Sequence, residues 1–263
     1  MSTKTVSIIG TGNVAWHIAP ALDNSGYSIF EVYGRNQKNV KLLTSRLYQA
    51  VENKTLDFSG SKSSIFIIAV SDDAIEEVAQ EIVLPDDALL IHTSASRSLK
   101  TLDFAATTKT GIFFPLQSFT KTGRIDFNDV PIFIETDDDE VFTILNTMGK
   151  SISKEVQRVS ADQRKALHIA SVFAASFTNH MMTLAKDIAS KHHIDFSLLK
   201  PLVSNTLSKS LELGPGQAHA GPAEKQDFMV LDQHLEFLTE DSSIAEIYRV
   251  ITQHIIDRRA ETT

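Results

Sequence analysis

The 263-residue chain contains no cysteine. That excludes disulfides, thiolate nucleophiles and cysteine-ligated metal, and it suits a reducing compartment. Positive charge is in deficit: 25 lysines and arginines against 33 acids give a net charge of −8. No basic stripe gathers on any segment, so nucleic-acid binding is not expected. Long apolar runs are also missing. The most apolar helical stretch, around 166–185, is interrupted by His168, Ser171, Ser176, Asn179 and His180. A membrane span would have to bury all of them, so none is predicted. The nine histidines form no His-x-x-x-His pair with a third ligand, and adjacent His192 and His193 diverge on a helix, so no metal site is expected. Met-Ser-Thr-Lys-Thr leads directly into a strand without the architecture of a signal peptide, and the expected location is cytoplasmic. The length suits one large domain or two smaller ones.

What is present begins at Val6. Val6-Ser7-Ile8-Ile9 is a short apolar run suited to a buried strand, and Gly10-Thr11-Gly12-Asn13-Val14-Ala15 turns it into a helix carrying Ile18, Ala19, Ala21 and Leu22. Strand, Gly-x-Gly-x-x-Ala and helix form the dinucleotide fingerprint in its proper context. Gly10 permits the tight turn, Gly12 lets backbone approach a pyrophosphate, and Ala15 lets the helix lie close on the strand. The free N–H groups of the helix N-terminus, Asn13 and Val14 among them, then face the phosphates.

Ser28-Ile29-Phe30-Glu31-Val32-Tyr33 alternates like a second strand and runs into Gly34-Arg35-Asn36. An NAD site places an acid at this strand end for the ribose 2′-hydroxyl. Here Arg35 stands instead, with a planar guanidinium suited to a 2′-phosphate; Glu31 lies inside the strand. NADP is therefore the expected cofactor, with Arg35 and Asn36 at its adenosine end. Residues 37–49 read as a helix and Ala50-Val51 as a weak strand. Ser64 to Val70 is a second strong buried strand, so Val70 and Ser71 should line the cofactor crevice at its carboxyl end. Asp72 and Asp73 read as helix caps, Asp73 with Glu76 as a capping box. Ala88 to Ile91 forms the next strand, and Thr93 and Ser94 beyond it should approach the nicotinamide. Gly111 to Phe114, Pro131 to Ile134 and Glu155 to Val159 supply further strands. The acidic run Glu135 to Glu140 reads as a solvated helix N-terminus.

From Ser160 no strand is expected. Ser160 and Gln163 form a capping box that opens a helix of about thirty residues, apolar on most faces. Further helices are expected at about 195–212, 222–238 and 242–259, the last with a capping-box pattern at Ser243 and Glu246. The expected architecture is thus α/β: a doubly wound, mostly parallel Rossmann sheet over 1–155, then an all-α domain over 160–263. Burying so apolar a helix calls for a second subunit, so a homodimer through the C-terminal helices is expected.

Over nearly its whole length the chain resembles a group of NADP oxidoreductases with an N-terminal Rossmann domain and a C-terminal helical domain of unknown function. These are distant relatives of pyrroline-5-carboxylate reductase and the β-hydroxyacid dehydrogenases. The resemblance rests on Ile9 to Ala15, Gly34-Arg35-Asn36, Ala69 to Asp72, His92-Thr93-Ser94, Phe114 to Phe119, His168 to Ala174, and Ala220 to Asp227 leading to His234-Leu235. It implies a dimer, a crevice between the domains and nicotinamide chemistry. The group commonly has asparagine where Ser176 stands, and Thr-Gly-Pro then Arg-Gly-Asp over Ala220 to Asp227. The lysine-centred helix motif of β-hydroxyacid dehydrogenases is missing, with no lysine between Lys165 and Lys186.

Hydride transfer also needs a proton donor beside the developing oxyanion or amine. His168 is the first candidate, since histidine titrates in the right range. Asn179 shares its helix face but lies about 16 Å further along. Ser176 is nearer in rise and about 80° around. Lys225 completes the candidate catalytic set; alternatively it pairs with Asp227 at a helix end, and Ser176 is satisfied within a helical core. Three functions fit: an NADP-dependent reductase of a small carbonyl or imine, a pyrroline-5-carboxylate-like imine reductase, and a non-catalytic NADP-binding dimer that senses cofactor or binds a partner.

Overall fold

The first apolar run becomes β1 (Thr5–Ile9), buried from Val6 onward. In the computed structural model, which describes residues 4–218 and 220–262, the chain divides into two compact units, Met1–Ser176 and Phe177–Thr263.

The first unit holds β1, α1 (Asn13–Asn24), β2 (Ser28–Tyr33), α2 (Gln37–Thr44), β3 (Val51–Asn53), β4 (Ile65–Ile68), α3 (Ile75–Glu81) and β5 (Leu89–His92). It continues with β6 (Lys109–Pro115), β7 (Ile132–Glu135), α4 (Asp139–Lys150), β8 (Val156–Arg158) and α5 (Ala161–Ser171). The strands form one sheet in the order β3-β2-β1-β4-β5-β6-β7-β8. Only the β6–β7 pairing is antiparallel, so the sheet is doubly wound and mostly parallel. Side chains alternate between its faces. Val6, Ile8, Ile65 and Ile67 join a core closed by Ile18 and Leu22 of α1 and by Val141 and Leu145 of α4. Ile9, Phe66 and Ile68 join the opposite core with Ile75 and Val78 of α3. Helices on both faces explain why these strands read as unbroken apolar runs. Strand order reverses between β1 and β4, where a crevice opens at the carboxyl ends.

Several local expectations are corrected. The helix expected over 37–49 ends at Thr44, because the chain beyond it is drawn to α1: Tyr48 N–H donates to Asp23 Oδ2 at 2.7 Å. Asp73 caps no helix; it pairs with Arg97, while Asp72 Oδ2 accepts from Ser96 Oγ. The acidic run is only partly a solvated helix start. Asp138 caps α4 by accepting from Glu140 and Val141 N–H, whereas Glu135 is buried.

The Ser160–Gln163 capping box forms in both directions. The long helix it opens passes through a π-helical turn, Val172–Phe177, before α6 (Thr178–Lys191). Its apolar residues Ile169, Phe173, Phe177 and Met181 are exposed in the single chain.

The second unit contains α6, α7 (Lys200–Leu213), α8 (Pro215–Ala218), α9 (Pro222–Lys225), α10 (Phe228–Phe237) and α11 (Ser242–Thr262). The helix expected over 222–238 is broken at Gln226, which adopts a left-handed conformation at φ 54°. Asp227 then caps α10 by accepting from Val230 N–H at 3.3 Å. Its carboxylate is thereby committed to the backbone, and it forms no ion pair with Lys225 among the described residues. Asp241, not Ser243, caps α11, accepting from Ile244 N–H. His234 Nδ1 lies 2.8 Å from the Tyr248 hydroxyl, joining α10 to α11.

Candidate functional site

The β1–α1 turn is fixed by the strands on either side. Gly10 N–H donates to Tyr33 O at 2.8 Å, and Ala69 N–H donates to Ile9 O at 2.7 Å. Gly10 has φ +121°, and a Cβ on it would stand 2.2 Å from Ala69 O, inside the neighbouring backbone. Gly12 differs. Its φ is −74°, and a Cβ there would meet only Ala69 O, at an ordinary 3.7 Å. Gly12 is the N-cap of α1, no side chain caps that end, and the first turn carries no acid. The helix thus presents uncapped N–H groups and a positive dipole end to the cleft, in a cradle that fits a pyrophosphate.

That cleft, of about 460 Å3, is lined by Gly10, Gly12, Asn13, Val14, Arg35, Asn36, Val70 and Ser71. All eight were singled out from the sequence, and the fold gathers them from three strand ends. Arg35 is exposed at the rim and has no hydrogen-bond or ion-pair partner among the described residues. Asn36 is partly committed, its side chain accepting from Asn39 N–H to cap α2. Glu31 does not line the cleft; both Ser7 Oγ and Ser61 Oγ donate to its Oε2. Leu56, Ala74, Glu77, Val78 and Glu81 also line the cleft. All five were missed, although the spacing of the last four marks one face of a helix.

Thr93 and Ser94 lie outside this lining, buried beyond the end of β5. The N–H, hydroxyl oxygen and carbonyl of Ser94 are each tied to protein. Its N–H donates to His92 Nδ1 at 3.1 Å, and its Oγ accepts from Ser96 and Arg97 N–H. Its carbonyl, with that of Ala95, accepts from Arg164 Nη1. Arg164 is 3% exposed, and its Nε donates to Glu135 Oε2 at 2.7 Å. His92 is fully buried, and burial lowers its pKa to about 4, against the opposing pull of its hydrogen bond to Ser98 O. It is therefore neutral near pH 7. Since Nδ1 accepts from Ser94, Nε2 carries the proton towards Ser98 O, 3.4 Å away. Neither Arg164 nor Glu135 was anticipated: a charged residue in an exposed-looking helix start carries no sequence signal of burial.

The candidate catalytic residues are not gathered in the cleft. His168 is half-buried on α5, Ser176 is exposed in the π-helical turn, and Lys225 is exposed at the end of α9 in the second unit. Among the described residues there is no group of three or more metal-ligating side chains, and no helix long and apolar enough to cross a membrane.

Fold and cleft together define a Rossmann-type dinucleotide-binding protein. Residues 5–96 match the family described as NADP oxidoreductase coenzyme F420-dependent, and residues 130–255 match a domain of unknown function, DUF2520. A Bacteroides fragilis protein assigned as an NADP oxidoreductase is 31% identical, over 97% of this chain and 100% of that one, with a TM-score of 0.88. The chain belongs to this family of NADP oxidoreductases. An imine reductase from Myxococcus stipitatus, solved with NADP+, shares the fold at 16% identity and TM-score 0.67, covering 98% of this chain and 94% of that one. So does a pyrroline-5-carboxylate reductase from Coxiella burnetii, at 14% identity and TM-score 0.60, covering 99% and 98%. No curated protein sequence matches.

Proposed function

We propose that the chain binds NADP in this cleft and transfers a hydride between NADPH and a small carbonyl or imine compound. The observation that carries the reading is the uncapped N-terminus of α1 at Gly12, opening on a cleft whose rim holds Arg35, which has no partner among the described residues. The α1 amides would hold the pyrophosphate, Arg35 the 2′-phosphate, and Val70 and Ser71 the wall beside them. With Glu31 engaged by two serines, no acid remains at the β2 end to select a free 2′-hydroxyl. The nicotinamide supplies the hydride chemistry when bound. His168 is our candidate proton donor.

The working form we propose is a homodimer. Leu202 and Leu211 are both exposed on α7, and nine residues at 100° each set them on opposite sides of the helix. A helix with apolar residues open on opposite sides is covered by a second copy that wraps it rather than one that merely abuts it.

The test is titration of NADPH and NADH into the protein, followed by quenching of its single tryptophan, Trp16, and by calorimetry. NADPH should bind more tightly. Binding of neither overturns the reading. Tight binding without NADPH oxidation across a panel of carbonyls and imines favours a cofactor-binding protein without catalysis.

A further inference from the structure

The segment after β5 is held far more firmly than a connection needs. His92 supports it from the strand below, Asp72 and Asp73 tie Ser96 and Arg97 from the β4 side, and Arg164 grips two successive carbonyls from α5. Of these, the Arg164–Glu135 pair is the one whose cost is high. Taking both charges out of water is unfavourable, and apolar residues of similar volume commonly stabilise as well or better. What they do not supply is geometry. A guanidinium is a rigid planar fork, and here it sets one carboxylate and the carbonyls of Ser94 and Ala95 at fixed positions. The Ser160–Gln163 capping box fixes the start of the helix that carries it.

The place of this segment follows from strand order. The cleft spans the carboxyl ends of β2, β1 and β4. With the pyrophosphate at α1 and the adenosine towards β2, the second nucleoside must continue past β4, and β5 is the next strand. His92, the last residue of β5, lies beside Ile68 of β4.

We propose that Arg164 is a positioning residue: with Glu135 it holds the Ser94–Ala95 backbone as the seat for the nicotinamide half of the dinucleotide. The adenosine half is left to the cleft at Gly12 and Arg35. This inference rests on the NADP reading above.

The experiment compares two ligands by calorimetry: NADPH, and adenosine 2′,5′-bisphosphate, which carries the adenosine half alone. Two variants are used with the wild type. Arg164→Lys keeps the charge opposite Glu135 but loses the fork. Arg164→Leu combined with Glu135→Leu replaces the pair by apolar volume, so it strands no buried charge and keeps the fold, which circular dichroism verifies. In both variants, NADPH affinity should fall about ten-fold, the loss of roughly 1.4 kcal/mol, while that for adenosine 2′,5′-bisphosphate stays within about two-fold. Equal losses for both ligands overturn the proposal, because Arg164 would then support the fold in general. Unchanged NADPH affinity in the folded variants overturns it too. If the wild type binds neither ligand, the NADP reading itself has failed and the inference goes with it. Wild-type binding of both with no selective loss rejects the inference alone.

Discussion

Arg46 supplies the hydrogen bond that Pro20 removes from α1. Proline has no N–H, so the carbonyl of Trp16, four residues earlier, loses its helical donor. Arg46 Nη1 donates to that carbonyl at 2.5 Å, and its guanidinium carbon lies 4.1 Å from the centre of the indole. Lys121 Nζ lies 5.2 Å from the same ring. Arg46→Ala should therefore lower stability by about 1–2 kcal/mol, from the lost hydrogen bond and cation–π contact. Urea unfolding measures the loss, and Trp16 emission should shift in the folded variant.

Arg35→Ala should weaken NADPH binding about ten-fold or more and leave NADH binding within about two-fold, since only the 2′-phosphate is lost as a partner. Because Arg35 has no hydrogen-bond or ion-pair partner among the described residues, the melting temperature should not move. A variant that loses both ligands equally would contradict the assigned role.

Acid should destabilise the first unit through His92. Its folded pKa, about 4, lies below the 6.5 of a free histidine. Between those values the unfolded chain binds the proton that the folded chain refuses. Stability is therefore highest above pH 6.5 and falls as the pH drops towards 4, by about 3 kcal/mol from this group. His92→Asn keeps an acceptor for Ser94 N–H but has nothing to protonate. Denaturant melts of the two proteins at pH 7.5, 6, 5 and 4 should converge in stability as the pH falls.

Sedimentation velocity should show a dimer at micromolar concentration. Leu202→Glu combined with Leu211→Glu should convert it to a monomer while Trp16 emission in the first unit is unchanged. A wild-type monomer at all concentrations would reject the dimer.

The Rossmann unit was legible because its signals are local. A β1-type run, two glycines and a helix occupy contiguous residues, and strands buried on both faces advertise themselves as Ile65 to Ile68 do. The cleft residues followed from the same logic, since strand ends converge at the carboxyl edge. What was hidden depends on pairs distant in sequence. Nothing near Arg164 announces Glu135, 29 residues earlier, or the carbonyls of Ser94 and Ala95. Caps were misread where two acceptors stood close together: Asp241 took the role assigned to Ser243, and Asp73 was drawn to Arg97. The break at Gln226 was masked by good helix formers on either side, and the cap at Asp227 outweighed them.

The two glycines of the first turn answer to different judges. A side chain at Gly10 collides with the backbone of Ala69, so any library sorted for folding or solubility would purge substitutions there. At Gly12 the protein has room for a methyl group and an ordinary backbone angle, and such a sort would let alanine through. Only selection for what the cleft holds would restore glycine. Sequencing a library after each kind of selection would therefore separate, at two positions two residues apart, what the chain needs to exist from what it needs to work.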